Sequence, residues 1–463
     1  MSRLIRLLSR FRSLFRSLFR QPPQLLFQRK SPPLPMTGSA RRIARGAFVL
    51  VALTAPSSLL AQAPTADGPL TLDSLYAAVR RTNPSVTAAD ARARALRARV
   101  SIAGALPDPQ LQLGWMNYML PSLAPMPTLG MTQLQLMQMI PVAGQLGLAR
   151  GVADAKAEAE RARADDAWWS ARARAAGLFH GLYQVDGTLG VMRETLRLLD
   201  EIRGAAEALY RVGTGRQSDV LRAQVEIARM TEDTLKMQAE RLAMTAQLNA
   251  LLDRAPDAPV GRPQWTAAAT DVPPLPDLIA SAARHRPSLT AAAAETEAAG
   301  RMSVLARREL YPDLQLGVQL GQRGGERMGS LMIGTSLPIF ARQRQYRERE
   351  AADAMRAMAV ADEAMARAET FGELGVVRAE LERSRRLQQL YRTTILPQAD
   401  ATVASALAAY RSGQVDFMTL LESRMSVNAF RQELIALEAD EGRAWAQLEM
   451  LVGSALPARG TTP

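Results

Sequence analysis

Four segments of this sequence alternate apolar and polar residues with a period of two, and they constrain the fold more than anything else in it. In 109–120, Leu111, Leu113 and Trp115 oppose Gln110, Gln112 and Gly114. In 312–321, Leu314, Leu316, Val318 and Leu320 oppose Gln315, Gly317, Gln319 and Gly321. Each is followed, after a Pro/Ser-rich (121–130) or Gly-rich (321–329) stretch, by a return segment at 131–140 or 330–338. In the last of these Leu331, Ile333, Thr335 and Leu337 share a face. Period two with one apolar face predicts strands wetted on one side. Each is about ten residues, the length that crosses a bilayer at barrel tilt. A soluble sandwich would need a second sheet, which the sequence does not supply. Four strands cannot close a membrane barrel, which takes about eight or more, and open strand edges are not tolerated in lipid. The chain is therefore expected to share a barrel with copies of itself.

The strands come in two pairs because one plan is written twice. "RRTNPSVTAADARA" at 80–93 matches "ARHRPSLTAAAAET" at 283–296, and "PQLQLG" at 109–114 matches "PDLQLG" at 312–317. "LYRVGTGRQSDVL" at 209–221 is answered by "AYRSGQVDFMTLL" at 409–421. A period near 200 residues reads as duplication of a whole subdomain rather than a solenoid unit. Each copy runs helix (85–106 in the first), strand pair, long helix, Gly-punctuated reversal, returning helix. Residues 145–210 and 218–252 form the first predicted hairpin, and 342–409 with 416–452 form the second. Leu221, Ala228, Leu235 and Leu242 are seven apart, a coiled-coil seam. Pro397 is expected to kink the second hairpin. The expected boundaries are 1–63 for an N-terminal extension and signal peptide, 64–270 and 271–455 for the two repeats, and 456–463 for a disordered tail.

The net charge of +12 suggests nucleic acid until its distribution is read. Of 57 Lys and Arg, 11 lie in residues 1–63, which hold no Asp or Glu, leaving 46 basic against 45 acidic residues beyond. The body is near neutral, and a nucleic-acid partner is not expected. Arg41, Arg42 and Arg45, the run "GAFVLVALTAPSSLLA" and Ala61-Gln62-Ala63 have the order of an export signal. A complete signal begins at Met36, which makes it the expected start, with processing near Pro64. The sequence has no cysteine, so disulfides, thiolate metal sites and a lipidated N-terminal Cys are excluded. No run of 18 or more apolar residues suits a membrane helix.

The order and double occurrence of these motifs resemble the TolC-like outer-membrane efflux factors over essentially all of the mature chain. The "LTLDSLYAAVRRTNPSV" opening, the paired P-x-L-Q-L-G starts and the two Tyr-x-x-Gly tips carry the resemblance. A strand end running from Gln135 to Pro141 also belongs to it, although its second copy, ending at Pro338, has Met332 for the Gln. The implied fold is mainly α with a small β part. Long coiled-coil hairpins would form a periplasmic α-barrel, and four strands per chain would join a trimeric outer-membrane β-barrel. The implied function is the exit duct of a tripartite pump, with a homotrimer, outer-membrane lipid, a periplasmic adaptor and an inner-membrane pump as partners. "ALPDPQLQLGWMN" and "QLMQMIPVAGQLGLAR" lean to the cation-efflux branch, with heavy-metal cations or drugs as cargo. A type I protein-secretion duct and a pore-less periplasmic coiled-coil protein are the alternatives.

By the same resemblance, the tips at Gly213, Thr214, Gly413 and Gln414 receive the adaptor. Tyr410 and Asp219 are the gate pair, and Val415 replaces a customary arginine latch. Thr419 and Glu422 occupy the acidic-ring positions, so one ring at most remains. No enzyme constellation or cofactor site is expected. His180 and His285 lie in separate repeats without a ligand-spaced partner, and Asp165 and Asp166 face two directions on one helix. Met116, Met119, Met126, Met131, Met137 and Met139 fall within 24 residues. Their thioethers suit a soft cation such as Cu(I), or they are lipid-facing and loop packing groups, the reading favoured on sequence alone.

Overall fold

The structure is a computed structural model. It describes residues 68–456 apart from 120, 122–123, 127–129, 266–270, 324–325, 338 and 413. The expected export signal, Gly413, Pro338 and 457–463 lie outside the described residues.

Helix α1 (Leu72–Thr82) starts where Thr71 accepts a hydrogen bond from the Ser74 N–H. Asn83 ends it and begins α2 (Pro84–Ala103), its Oδ1 accepting from the Ser85 and Val86 N–H groups. Its Nδ2 donates to the Leu251 carbonyl at 2.8 Å, a buried tie across the repeat. Pro84 sits at the first helical position, where its missing N–H costs nothing. After the strands, α3 (Gln145–Arg211) runs 67 residues, about 100 Å at ~1.5 Å per residue. Helix α4 (Gln217–Leu251) returns beside it. The second half repeats the order with α5 (Leu275–His285), α6 (Pro287–Arg308), α7 (Gln345–Leu390), α8 (Leu396–Arg411) and α9 (Phe417–Val452).

Two buried clusters hold these halves. Leu75, Val79, Ala171 and Leu248 belong to the first, and Leu278, Ala282, Leu374 and Leu451, each 203 positions later, to the second. A third cluster joins the hairpins near their reversals: Met192, Leu199 and Ala206 of α3, Ala223 and Met230 of α4, Phe417 and Leu421 of α9.

Strands β1 (Gln110–Met116), β4 (Met131–Ile140), β5 (Leu314–Arg323) and β6 (Glu326–Thr335) form one antiparallel sheet in the order β1-β4-β5-β6. Strand β1 stops earlier than the expected 120 because Asn117 takes φ 56°, the left-handed region. The short β2 (Tyr118–Met119) and β3 (Ala124–Pro125) then pair separately. Strand β6 begins at Glu326, not at 330, and ends before Leu337. Only 324–325 separate it from β5, the two-residue connection that paired antiparallel strands favour.

The irregularity expected at Pro397 lies in the turn before it. Residues Tyr391–Ile395 form a π turn, in which the Leu396 N–H donates to the Tyr391 carbonyl five residues back. That wider turn absorbs the proline's missing donor and its ring clash with the preceding turn. The seam Leu221, Leu235 and Leu242 lies outside the contact between α3 and α4. These residues are 53%, 61% and 70% exposed, while Ala223, Met230, Thr245 and Leu248 face α3 and the core. The heptad fixed a stripe but not the surface that meets it.

Candidate functional site

Residues opposite one another in a sheet share a face, so the register sorts every strand side chain. Leu111–Leu136–Val318–Leu331 and Leu113–Leu134–Leu320 are rows of one face, and Leu316 pairs with Ile333 there. The other face carries Gln112–Gln135–Gln319–Ser330 and Gly114–Gln133–Gly321–Met328. Gln319 donates through Nε2 to Gln133 Oε1, so the glutamines tie the strands sideways. The Leu face meets no second layer. Leu111 on β1 is 61% exposed and Leu331 and Ile333 on β6 are 73% and 70% exposed. Both outer strands also have one edge without a partner among the described residues.

Of the six clustered methionines, Met119 and Met126 lie in the connection between β1 and β4, and the other four share one face of the sheet. Met116, Met131, Met137 and Met139 pair with residues of the Gln/Gly face, as do Met328 and Met332, which the sequence reading did not single out. Counting Met as apolar hid this, because "LQLMQM" then seems to slip by one residue at Met137.

At the far end of the hairpins, Gly213 takes φ 81°, a conformation that L side chains rarely adopt. Its N–H donates to the Tyr210 carbonyl, and the Thr214 and Gly215 N–H groups both donate to Leu209 O. This closes the C-terminus of α3 in a glycine-dependent turn. In the second reversal Gln414 N–H donates to Ala409 O at 2.9 Å. Asp416 caps α9 by accepting from the Thr419 N–H and Oγ1, and these bonds hold its carboxyl below the usual range. Arg216 lends a smaller push the same way, and Ala223 and Phe417, just past the two reversals, belong to one buried cluster.

Tyr410 packs against the same buried cluster as Val220, the neighbour of Asp219. Burial first, and then the Asp219 charge, raise the Tyr410 phenol above its usual range. Among the described residues no hydrogen bond joins them. The Asp219 carboxylate accepts from Ser218 Oγ at 3.4 Å, and the Tyr410 ring lies edge-on to Phe417 at 6.1 Å. Glu422 is exposed on α9, and Thr419 is occupied by the cap.

The histidines take no part in this end. His285 sits in the last turn of α5 with Nδ1 3.1 Å from the Ser281 carbonyl. His180 is buried between α3 and α9 against Gly442. Asp165 is exposed, whereas Asp166 is partly buried, which raises its carboxyl despite the nearby Arg286. No helix is long and apolar enough to cross a membrane, and no cluster of three or more His, Asp or Glu suits a metal ion, both among the described residues.

Comparison with known proteins agrees with this geometry. The sequence profile of the family described as Outer membrane efflux protein matches residues 75–254 and 278–454. The cobalt-zinc-cadmium resistance protein CzcC of Cupriavidus metallidurans is 25% identical over 260 residues, 54% of this chain. The match spans only 60% of that relative's length. The crystal structure of CusC superposes with a TM-score of 0.73 at 18% identity, covering 86% of this chain and 96% of that one. The outer membrane protein VceC of Vibrio cholerae gives 0.72 at 19% identity, covering 83% and 96%. The open-state channel MtrE of Neisseria gonorrhoeae gives 0.71 at 17%, covering 84% and 91%. At these identities the likeness is one of fold.

Proposed function

We propose how a member of the outer membrane efflux protein family, to which this chain belongs, uses this geometry: as the passive exit duct of an efflux assembly. Three copies share one twelve-stranded barrel in the outer membrane, four strands from each, and their helical hairpins line a conduit into the periplasm. Each chain carries two repeats, 64–270 and 271–455, behind a cleaved export signal. The observation that carries this reading is the sheet: four long strands, two edges unpartnered among the described residues, one face of Leu, Ile, Val and Trp and one of Gln, Gly and Met. Such a sheet is unstable alone in either water or lipid, and joining copies edge to edge removes both defects. The Leu face then meets lipid and the Gln face water.

The reversals at Gly213–Thr214 and Gly413–Gln414 are the docking points for a periplasmic adaptor bound to an inner-membrane pump. The buried cluster shared by residues just past both reversals supports one docking end. Tyr410 and Asp219 form the resting latch there, and three copies of Glu422 form a carboxylate ring that holds cations. Metal cations are the favoured cargo, supported by the CzcC likeness and by the cation-branch motifs around 105–150.

Conductance tests this directly. Purified protein in planar bilayers should open with small single-channel currents. Tyr410→Phe with Asp219→Ala should raise them, and Glu422→Ala should weaken block by divalent cations. Folded, membrane-inserted protein that carries no current in either form would overturn the duct reading.

A further inference from the structure

The methionines of the sheet are sorted by face without exception in the four long strands. Met116, Met131, Met137, Met139, Met328 and Met332 all lie in the Gln/Gly rows. The opposite face takes its apolar residues from Leu, Ile, Val and Trp and holds no methionine, and the Gln/Gly face holds no Leu, Ile, Val or Phe. A methionine used only as flexible packing is interchangeable with leucine and would occur on both faces. Complete segregation selects the property that leucine lacks, a sulfur lone pair.

Two glycines of β5 gather these sulfurs into groups. Gly317 is the one buried position of its strand, and Met137 and Met332 lie directly across from it on the two flanking strands. A Cβ at Gly317 would meet Met332 Cε at 3.1 Å and Met137 Cγ at 3.3 Å, so both side chains occupy the space the glycine leaves. Gln135 Nε2 reaches Met137 Sδ at 2.6 Å, which keeps that sulfur beside a polar group. Gly321 repeats the arrangement. A Cβ there would lie 3.3 Å from Met131 Sδ, Met328 is directly across, and Met116 pairs with Met131. Four residues of strand separate the two glycines, about 13 Å.

We propose that this face carries two thioether sites for a soft monovalent cation, copper(I) or silver(I). One is formed by Met137 and Met332 over Gly317, the other by Met131 and Met328 beside Gly321. Thioether sulfur is neutral and soft, needs no deprotonation, and selects such ions over harder divalent ones. No carboxylate or imidazole cluster competes for the ion among the described residues. Two neutral ligands make a modest site, and sites repeated along a wall suit a path on which an ion must both enter and leave. The sites themselves rest on the register and on the space at Gly317 and Gly321; their use as stations for an exported cation rests on the duct reading. They also give this sheet a softer preference than the cobalt, zinc and cadmium in the relative's name.

The test is silver(I) titration of the full-length protein in detergent, in chloride-free buffer, with bound silver measured after desalting. Saturable uptake of about two ions per chain is expected, and zinc(II) should show no uptake at these positions. Met137→Leu with Met332→Leu should remove one, and Met131→Leu with Met328→Leu the other. These near-isosteric changes spare the fold, as circular dichroism will check. Gly317→Ala keeps every sulfur but fills the shared space, and should weaken the first site by roughly tenfold or more. Absence of uptake in the wild type, or uptake unchanged in the four-methionine variant, overturns the sites. Protein that binds silver but carries no current in planar bilayers leaves the sites standing and removes the duct; conduction without silver binding does the reverse.

Discussion

At the scale of one residue, His180 shows how closely the two hairpins are fitted. Its ring lies on α3 in the space that Gly442 of α9 leaves open, where a Cβ would come within 2.1 Å of its Cε1. Phe179 and Trp265 meet it edge-on at 5.2 and 6.0 Å, and its Nδ1 has no partner among the described residues. Burial, with a smaller contribution from Arg443, lowers its pKa to about 4. The imidazole is therefore neutral in the fold at pH values where the unfolded chain would protonate it. Its contribution is fully present above about pH 6.5 and is lost as pH falls towards 4, about 3 kcal/mol across that window. His180→Leu should flatten the dependence of melting temperature on pH between those limits, relative to the wild type. Gly442→Ala should destabilise by ~1–3 kcal/mol through overpacking, and the pair His180→Ala, Gly442→Ala by less than the sum of the single changes. Additive losses would show that the ring does not depend on the glycine.

At the scale of the element, the two faces of β5 make opposite predictions for adjacent residues. Leu316 sits in the Leu face opposite Ile333, and Gln315 in the Gln face opposite Gly334. Leu316→Arg places a charge towards lipid at a cost of ~2–4 kcal/mol, and should reduce the amount of assembled protein in outer-membrane fractions. Gln315→Arg should leave it unchanged; equal losses would contradict the face assignment. Much of this was legible in the sequence, because period two is a local property that survives whatever the strand later packs against. The early start of β6 was less so: Arg327, Met328 and Gly329 lack an apolar alternation, and pairing with β5 decides their conformation instead. The side of the methionines was hidden for a related reason, since the sequence shows their hydropathy and only the register shows their row. The π turn at Tyr391–Ile395 needs the clash of Pro397 with the preceding turn, a three-dimensional event. At the tips, the Tyr-x-x-Gly punctuation marked the reversals, but the proximity of Tyr410 to Asp219 depends on the packing of Phe417 and Leu421 between hairpins.

At the scale of the whole molecule, the surfaces left bare are of one kind. Strands β1 and β6 end the sheet with open edges, and the hairpins expose apolar stripes. Helix α4 exposes Leu221, Val225, Leu235 and Leu242, and α7 exposes Met355, Met358, Val360 and Met365. A heptad stripe is a packing instruction, and one that its own hairpin does not use is addressed to a neighbour. The proposed trimer gives both features the same remedy, since one rotation that joins strand edges also brings helices of adjacent copies together. Leu235→Glu with Leu242→Glu would then place charges in each of the contacts between copies. The loss of burial alone is worth ~1.5–3 kcal/mol per side chain, and the desolvated carboxylates add to it. Light scattering on detergent-extracted protein should show a trimer for the wild type and smaller species for this variant. Lys236→Ala serves as the control on the same helix. It removes only exposed ion pairs to Glu232 and Asp233, which contribute little, so its trimer should persist. A variant that stays trimeric with glutamate at both positions would mean that the α4 stripe faces something other than a second copy of this chain.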